Sequence, residues 1–307
     1  MPSLDVNSKG TLGSRYTKAM QRAALGPTTI LTLLTLVAFA GNSILCRLAL
    51  AGGLIDPVSF NAIRLGSGAL VLVPFLCSPG SRGQAQASTP WSPFAAAALF
   101  VYGITFSMAY VTLDAGVGAL LLFGSVQVTM LSVGFLRGER PTMLQKAGII
   151  VAVGGFLVQV LPGLTAPAPT GALLMTTAGI AWGTYSLHGR AVGDPRMATA
   201  RNFLLAAPLG VVCLLLGQEQ LVVHTRGVLL AVTSGTVTSG LGYILWYTAL
   251  RGHTATSAGI VQLAVPILAA IAGVALLSED LTLRFAVSAC LTLGGIAVVT
   301  TGNRRAT

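Results

Sequence analysis

The residues best able to do chemistry in this chain are embedded in apolar runs. Trp182, Tyr185 and Ser186 fall three and four positions apart, so one helical face would carry two aromatic rings and a hydroxyl. Tyr243, Trp246 and Tyr247 repeat that spacing. Such faces could hold an aromatic or apolar small molecule. The alternative is an aromatic belt at a lipid–water boundary, where Trp and Tyr concentrate near helix ends. Tyr102 and Tyr110 lie about two turns apart and could share a face with either a cavity or the core. Asn42, Gln127 and Gln262 are polar groups in hydrocarbon-like stretches, so each is expected to face a cavity or a neighbouring helix. Arg47 and Arg64 are the most expensive residues to bury. Asp56 precedes Arg64 by about two turns, so an ion pair along one face is possible. Attraction of a substrate carboxylate is the competing use of either arginine. His188 could carry a proton, although a lone histidine at a helix end is more often structural.

What is missing narrows the chemistry. There is no HExxH, no phosphate-cradling glycine loop and no pair of aspartates within one apolar run, which removes the usual intramembrane proteases and ATP-driven pumps. The four cysteines sit singly in apolar runs and form no metal-ligand spacing. No catalytic residue, metal site or cofactor is therefore expected. Asp56, Asp114, Glu139, Asp194, Glu219, Glu279 and Asp280 all fall at helix ends or in connectors. A carboxylate proton relay at mid-membrane is disfavoured.

These residues need elements to hold them, and composition names the class. The 307 residues are 54% hydrophobic and only 8% charged, with mean hydropathy +0.81. A soluble domain carries roughly 25% charged residues. A chain so poor in charge cannot cover a surface in water, so lipid is its expected solvent. The net charge of +10 is scattered over connectors and both ends. No basic stripe is interleaved with aromatics, which argues against nucleic acid as a partner. The expected partners are membrane lipid and a small molecule, with the protein a monomer or weak oligomer.

Spans of about 20 apolar residues cross a hydrocarbon core. Ten can be placed, at 27–50, 57–77, 91–111, 116–136, 141–161, 171–187, 197–216, 227–250, 256–277 and 281–302. The expected fold is an all-α integral membrane protein. Its organisation is a basic tail (1–26), a first unit (27–161), a Pro-rich linker (162–170), a second unit (171–302) and a short tail (303–307). With the N-terminus in the cytoplasm, that side collects the N-terminal tail with Arg82, Arg137, Arg140, Lys146, Arg190, Arg196, Arg201, Arg251, Arg304 and Arg305. The opposite side collects only Arg226 and Arg284, which favours both termini inside.

The two units look like copies. Residues 116–139 and 256–279 are apolar, rich in small residues and closed by a glutamate about 140 positions from its counterpart. Asp56-Pro57 with Arg64 is echoed by Asp194-Pro195 with Arg201, and Tyr110 by Tyr247. Five helices per unit is an odd number, so the second copy must enter the membrane from the other side. That arrangement is an inverted-topology repeat, which permits alternation between two faces.

On these residues the chain resembles the drug/metabolite transporter superfamily, and within it the ten-helix EamA-type exporters. The resemblance rests on Leu136-Arg137-Gly138-Glu139 and Leu277-Ser278-Glu279, on the arginine-bearing second helix of each unit, and on the glycines of 148–155 and 293–296. It covers 29–301. The segment 119–124 resembles the aromatic amino-acid exporter branch. One departure is that Pro266 in the ninth span aligns with Val126 in the fourth, so only the second unit has an obvious helix breaker. The resemblance implies a bacterial inner-membrane protein and no enzyme. It implies export of small amphipathic metabolites, amino acids including aromatic ones, by alternating access in facilitated or exchange mode. A proton-coupled multidrug or metabolite exporter is the alternative. A lipid-handling intramembrane enzyme is the reading from another class, and it would need a nucleophile or metal cluster that the chain does not display.

Overall fold

The computed structural model describes residues 27–77, 91–136, 142–161, 163, 166–189, 192–217, 221–253 and 261–302. The basic N-terminal tail, Arg82, Arg137, Glu139, Arg140, Arg190, Glu219, Arg304, Arg305 and the start of the expected ninth span lie outside the described residues.

Ten helices account for almost all of the described chain. They are α1 (Pro27–Ala51), α2 (Pro57–Cys77), α3 (Pro93–Ala109), α4 (Ala115–Leu136), α5 (Met143–Val160), α6 (Pro169–Gly189), α7 (Pro195–Leu216), α8 (Thr225–Leu250), α9 (Ala264–Leu277) and α10 (Leu283–Gly302). Six of the described helices are long and apolar enough to cross a membrane by length and composition. Proline or a capping side chain fixes several starts. Asp56 accepts from the backbone N–H of Val58 and Ser59, and Asp194 accepts from that of Arg196. Thr142 and Gln145 form a reciprocal capping box on α5. The two Asp-Pro motifs are therefore helix starts. This corrects one expectation: Asp56 spends its carboxylate on the start of α2 and on Val222 N–H, while Arg64 bonds Ser239 and Tyr243.

The direction of the repeat is written into two contacts. The Glu279 carboxylate, just past the end of α9, accepts from Ala115 N–H at the start of α4 at 2.9 and 3.1 Å. Near the start of α5, Gln145 Nε2 donates to Val299 O near the end of α10 at 3.3 Å. Helices 4 and 9, and helices 5 and 10, occupy equivalent places in the two units, and each pair runs antiparallel. Neighbouring helices meet through small residues. An added Cβ at Gly148 would strike Gly295 O, one at Gly155 would strike Thr292, and one at Gly116 would strike Ala270. Leu33, Leu70, Ile150, Leu173, Leu216 and Leu283 point outward as an apolar belt suited to lipid.

The eighth helix is not regular. Between its two α-helical parts, Thr225–Thr233 and Gly242–Leu250, the segment Ser234–Leu241 is π-helix. Its sequence, SGTVTSGL, has little bulk to hold the tighter register, and Gly235 lies flush against the Arg64 carbonyl and Ser67 of α2. The wider turn brings Ser234, Thr238 and Ser239 to the buried side. Such insertions recur at functional sites.

Candidate functional site

Six helices from both units send rings or polar groups to one buried centre. Phe39 and Asn42 come from α1, Arg64 from α2, Tyr102 and Phe106 from α3. Trp182 and Tyr185 come from α6, and Tyr243 and Trp246 from α8. Phe123 of α4 completes the wall. Trp182 packs on Tyr243 at 4.6 Å between centroids, on Tyr102 at 4.9 Å and on Tyr185 at 5.4 Å. Phe39 meets Trp182 and Trp246 edge-on, each at 5.7 Å. At the centre is a cavity of about 10 Å³ bounded by Phe39, Asn42, Ser43, Tyr102, Phe106, Leu122, Phe123, Trp182 and Tyr243. It has room for one water at most, so an organic molecule enters only if the helices part.

A continuous hydrogen-bond chain runs through these rings. Ser234 Oγ (2.7 Å) and Thr238 Oγ1 (3.1 Å) donate to Asn42 Oδ1. Asn42 Nδ2 donates to the Tyr102 hydroxyl at 3.2 Å, which also accepts from the Tyr243 hydroxyl at 3.3 Å. Tyr243 in turn accepts from Arg64 Nη2 at 2.9 Å, and Arg64 Nε donates to Ser239 Oγ at 3.0 Å. The π-helical register of α8 supplies three of these hydroxyls. The Arg64 guanidinium also lies over the rings of Tyr102 at 5.1 Å and Phe106 at 5.3 Å. It is 1% exposed, and its Nη1 has no partner.

A second polar cluster closes one end of the bundle. Arg47 donates to Glu279 at 3.0 Å, to Asp114 at 3.0 Å and to the carbonyls of Tyr110 and Val111. Ser278 adopts a left-handed conformation (φ 55°), which turns the chain after α9 and returns Glu279 towards α4. Glu279 thus joins α1, the α3–α4 turn and the α9–α10 turn. Partial burial pushes its carboxyl above the usual glutamate range, although the Ala115 N–H and Arg47 pull the other way. At the same end, a two-residue antiparallel bridge pairs Ile55 with Val223, tying the α1–α2 turn to the segment before α8. A polar cavity of about 550 Å³ opens beside Arg47, Asp114, Glu279 and Gln159. The opposite end has contacts of its own among the described residues. Thr32 bonds the His253 ring, Arg251 donates to Gly193 O, and Tyr247 donates to Tyr185 O.

The structure sorts the sequence candidates. Asn42, Arg64, Tyr102, Trp182, Tyr185, Tyr243 and Trp246 converge on the centre. Ser186 is buried one residue beyond Tyr185. The boundary-belt alternative for Trp182, Tyr185, Tyr243, Trp246 and Tyr247 is overturned: all five are at most 2% exposed, packed among other helices. Tyr110 is also buried but belongs to the Glu279 end, where its hydroxyl donates to Ala115 O. Gln127 and Gln262 are buried but do not line the central cavity, where the wall from α4 is Leu122 and Phe123. His188 is exposed at the end of α6 beside Phe94, outside the cluster. Sequence reasoning missed Ser234, Thr238 and Ser239. Their signal was a run of hydroxyls and glycines inside an apolar span, which hydropathy reads as a weak stretch of helix.

Comparison with known proteins fits this geometry. The sequence profile of the EamA-like transporter family matches twice, over residues 27–161 and 169–301. The chain belongs to the EamA-like transporter family. An uncharacterized protein of Pseudomonas aeruginosa is 50% identical over 272 residues, covering 89% of this chain and 94% of the relative. An uncharacterized transporter of Archaeoglobus fulgidus is 29% identical over 207 residues, covering 65% of this chain and 72% of the relative. A solved crystal structure shares the fold with TM-score 0.65 at 20% identity, covering 92% of this chain and all of that one. Membership of this drug/metabolite transporter family makes the chain a multi-pass membrane transporter and not an enzyme. In this EamA-like protein the five-helix copies seen in the antiparallel pairs are the two family repeats.

Proposed function

We propose that this EamA-like protein exports small amphipathic metabolites, amino acids including aromatic ones among them, by alternating access in facilitated or exchange mode. One observation carries the reading. Aromatic rings and a connected polar chain from both inverted repeats meet at a buried centre that must open to admit any organic molecule. The two ends are bridged by separate sets of contacts, which suits two gates released in turn. No described carboxylate lines the cavity, which favours a carrier that needs no proton relay there. Lys146, Arg196, Arg201 and Arg251 belong to the end opposite Glu279, so that end is assigned to the cytoplasm of a bacterial inner membrane, with both termini inside. Counterflow in proteoliposomes tests the reading. Purified protein should exchange internal for external labelled amino acids, aromatic ones fastest, without an ion gradient. Absence of flux for every amino acid would reject the amino-acid assignment, and a strict requirement for a pH gradient would reject the uncoupled mode.

A further inference from the structure

We propose that Arg64 docks the carboxylate of the transported molecule, and that the preferred substrates are aromatic or otherwise flat carboxylic acids whose α-amino group is dispensable. This rests on the reading of the buried centre as the transport site, and it narrows the substrate class.

The polar groups left without partners around the centre are mostly donors. Arg64 Nη1, Trp182 Nε1 and Trp246 Nε1 can only donate, and Asn61 Nδ2, one turn before Arg64 on α2, has no acceptor either. Asn61 Oδ1 is the one unpartnered acceptor-only atom among them, and the unpartnered hydroxyls of Ser43 and Ser186 can donate or accept. A site furnished in this way is complementary to a ligand rich in acceptors. Arg64 adds full charge, and that charge is uncompensated. Every described carboxylate is engaged or placed elsewhere: Asp56 and Asp194 cap helices, Asp114 and Glu279 hold Arg47, and Asp280 lines the polar cavity at the Glu279 end. The rings of Tyr102 and Phe106 and the hydroxyls of Ser239 and Tyr243 ease the burial of the guanidinium but leave its charge in place.

A carboxylate arriving here gains a planar, charged donor and neutralises the centre. An ammonium gains no carboxylate and is repelled by Arg64, with only aromatic faces to rest on. Deleting the amino group should therefore help binding or leave it unchanged, whereas deleting the carboxylate should weaken it strongly. The substrate body would lie among Phe39, Phe123, Trp182 and Tyr243, which bound the cavity.

The test uses four compounds with one phenyl body: 3-phenylpropanoate, phenylalanine, 3-phenylpropanamide and phenethylamine. Binding is read by ligand-induced thermal shift of the purified protein, and transport by counterflow in proteoliposomes. We expect the acid to bind at least as well as phenylalanine and on the order of tenfold or more better than the amide and the amine. R64Q should bring acid and amide to within about threefold of each other. R64K, which keeps the charge but loses the planar fork, should retain a weakened preference for the acid. Phenethylamine matching or exceeding the acid in wild-type protein overturns the proposal, as does R64Q with an unchanged preference. Indifferent flux of all four leaves the transport reading standing and removes Arg64 as the anion site. Acid-selective binding without flux has the reverse meaning, and no binding of any compound overturns both.

Discussion

Arg47 and Arg64 both sit inside the helical bundle, and the protein treats them oppositely. Arg47, near one end of α1, meets two carboxylates and two backbone carbonyls. Arg64, one helix on, meets two hydroxyls and two rings, and one of its nitrogens is unpartnered. A guanidinium surrounded by acids is saturated, so its use is to join the pieces that contribute those acids. Here it joins α1 to the turns that precede α4 and α10. A buried guanidinium with no described acid beside it keeps donor capacity to spare, here at Nη1. The contrast separates an arginine saturated by acids from one held by hydroxyls and rings, and it follows from which partners each has been given.

The largest expected effect comes from removing the unsaturated member. Arg64→Ala should reduce transport by on the order of a hundredfold or more while the helical content persists, because about 2–4 kcal/mol of charged hydrogen bonding to substrate is lost. Counterflow beside circular dichroism measures this, and near-normal transport would erase the contrast. Next is the arginine saturated by acids. Arg47→Ala leaves Asp114 and Glu279 facing each other without their cation, and it should lower stability by about 1–3 kcal/mol, discounted for their partial exposure. Thermal unfolding in detergent reads the loss, and the order of preference among substrates should stay the same. A change in that order would mean that Arg47 also reads the substrate.

Smaller again is Tyr243→Phe, which deletes the hydroxyl between Arg64 and Tyr102. The expected result is a KM raised about tenfold with little change in turnover, since about 1–2 kcal/mol of positioning is lost. The smallest effect concerns pH. The folded-state pKa of Glu279 lies above the ordinary glutamate value. Its contribution to stability is therefore present below the ordinary value and lost as pH rises through the raised one. In the window just above the ordinary glutamate range, wild-type protein should gain stability slightly on acidification. Glu279→Gln, which mimics the protonated form, should flatten that slope. Melting temperature against pH for the two proteins decides it, and an acid-side loss in wild type that the Gln variant removes would reverse the sign.

Much of the fold was legible in the sequence for simple reasons. An apolar run about a bilayer thick has few options other than a helix, and the two Asp-Pro motifs mark where two of them begin. Trp182, Tyr185, Tyr243 and Trp246 were legible as candidates because their spacing put them on shared faces. Whether those faces met lipid headgroups or each other was not, since a helical wheel gives direction around one axis and no depth within a bundle. Gln127 and Arg64 illustrate the same limit: both are polar residues in apolar helices, yet Arg64 lies over two of the central rings while Gln127 does not line the cavity.

The sequence alone determined the solvent, the number of spans and the existence of two copies, because these depend on composition and on order along the chain. Tertiary structure decided that the equivalent helices run antiparallel in contact, that α8 widens into a π-helix to present three hydroxyls, and that among the described residues Arg47 has acids while Arg64 has none. Those facts depend on which distant residues share a depth in the bundle. The Arg47–Glu279 pair spans 232 positions and the Arg64–Tyr243 pair spans 179, and local spacing holds no information about either.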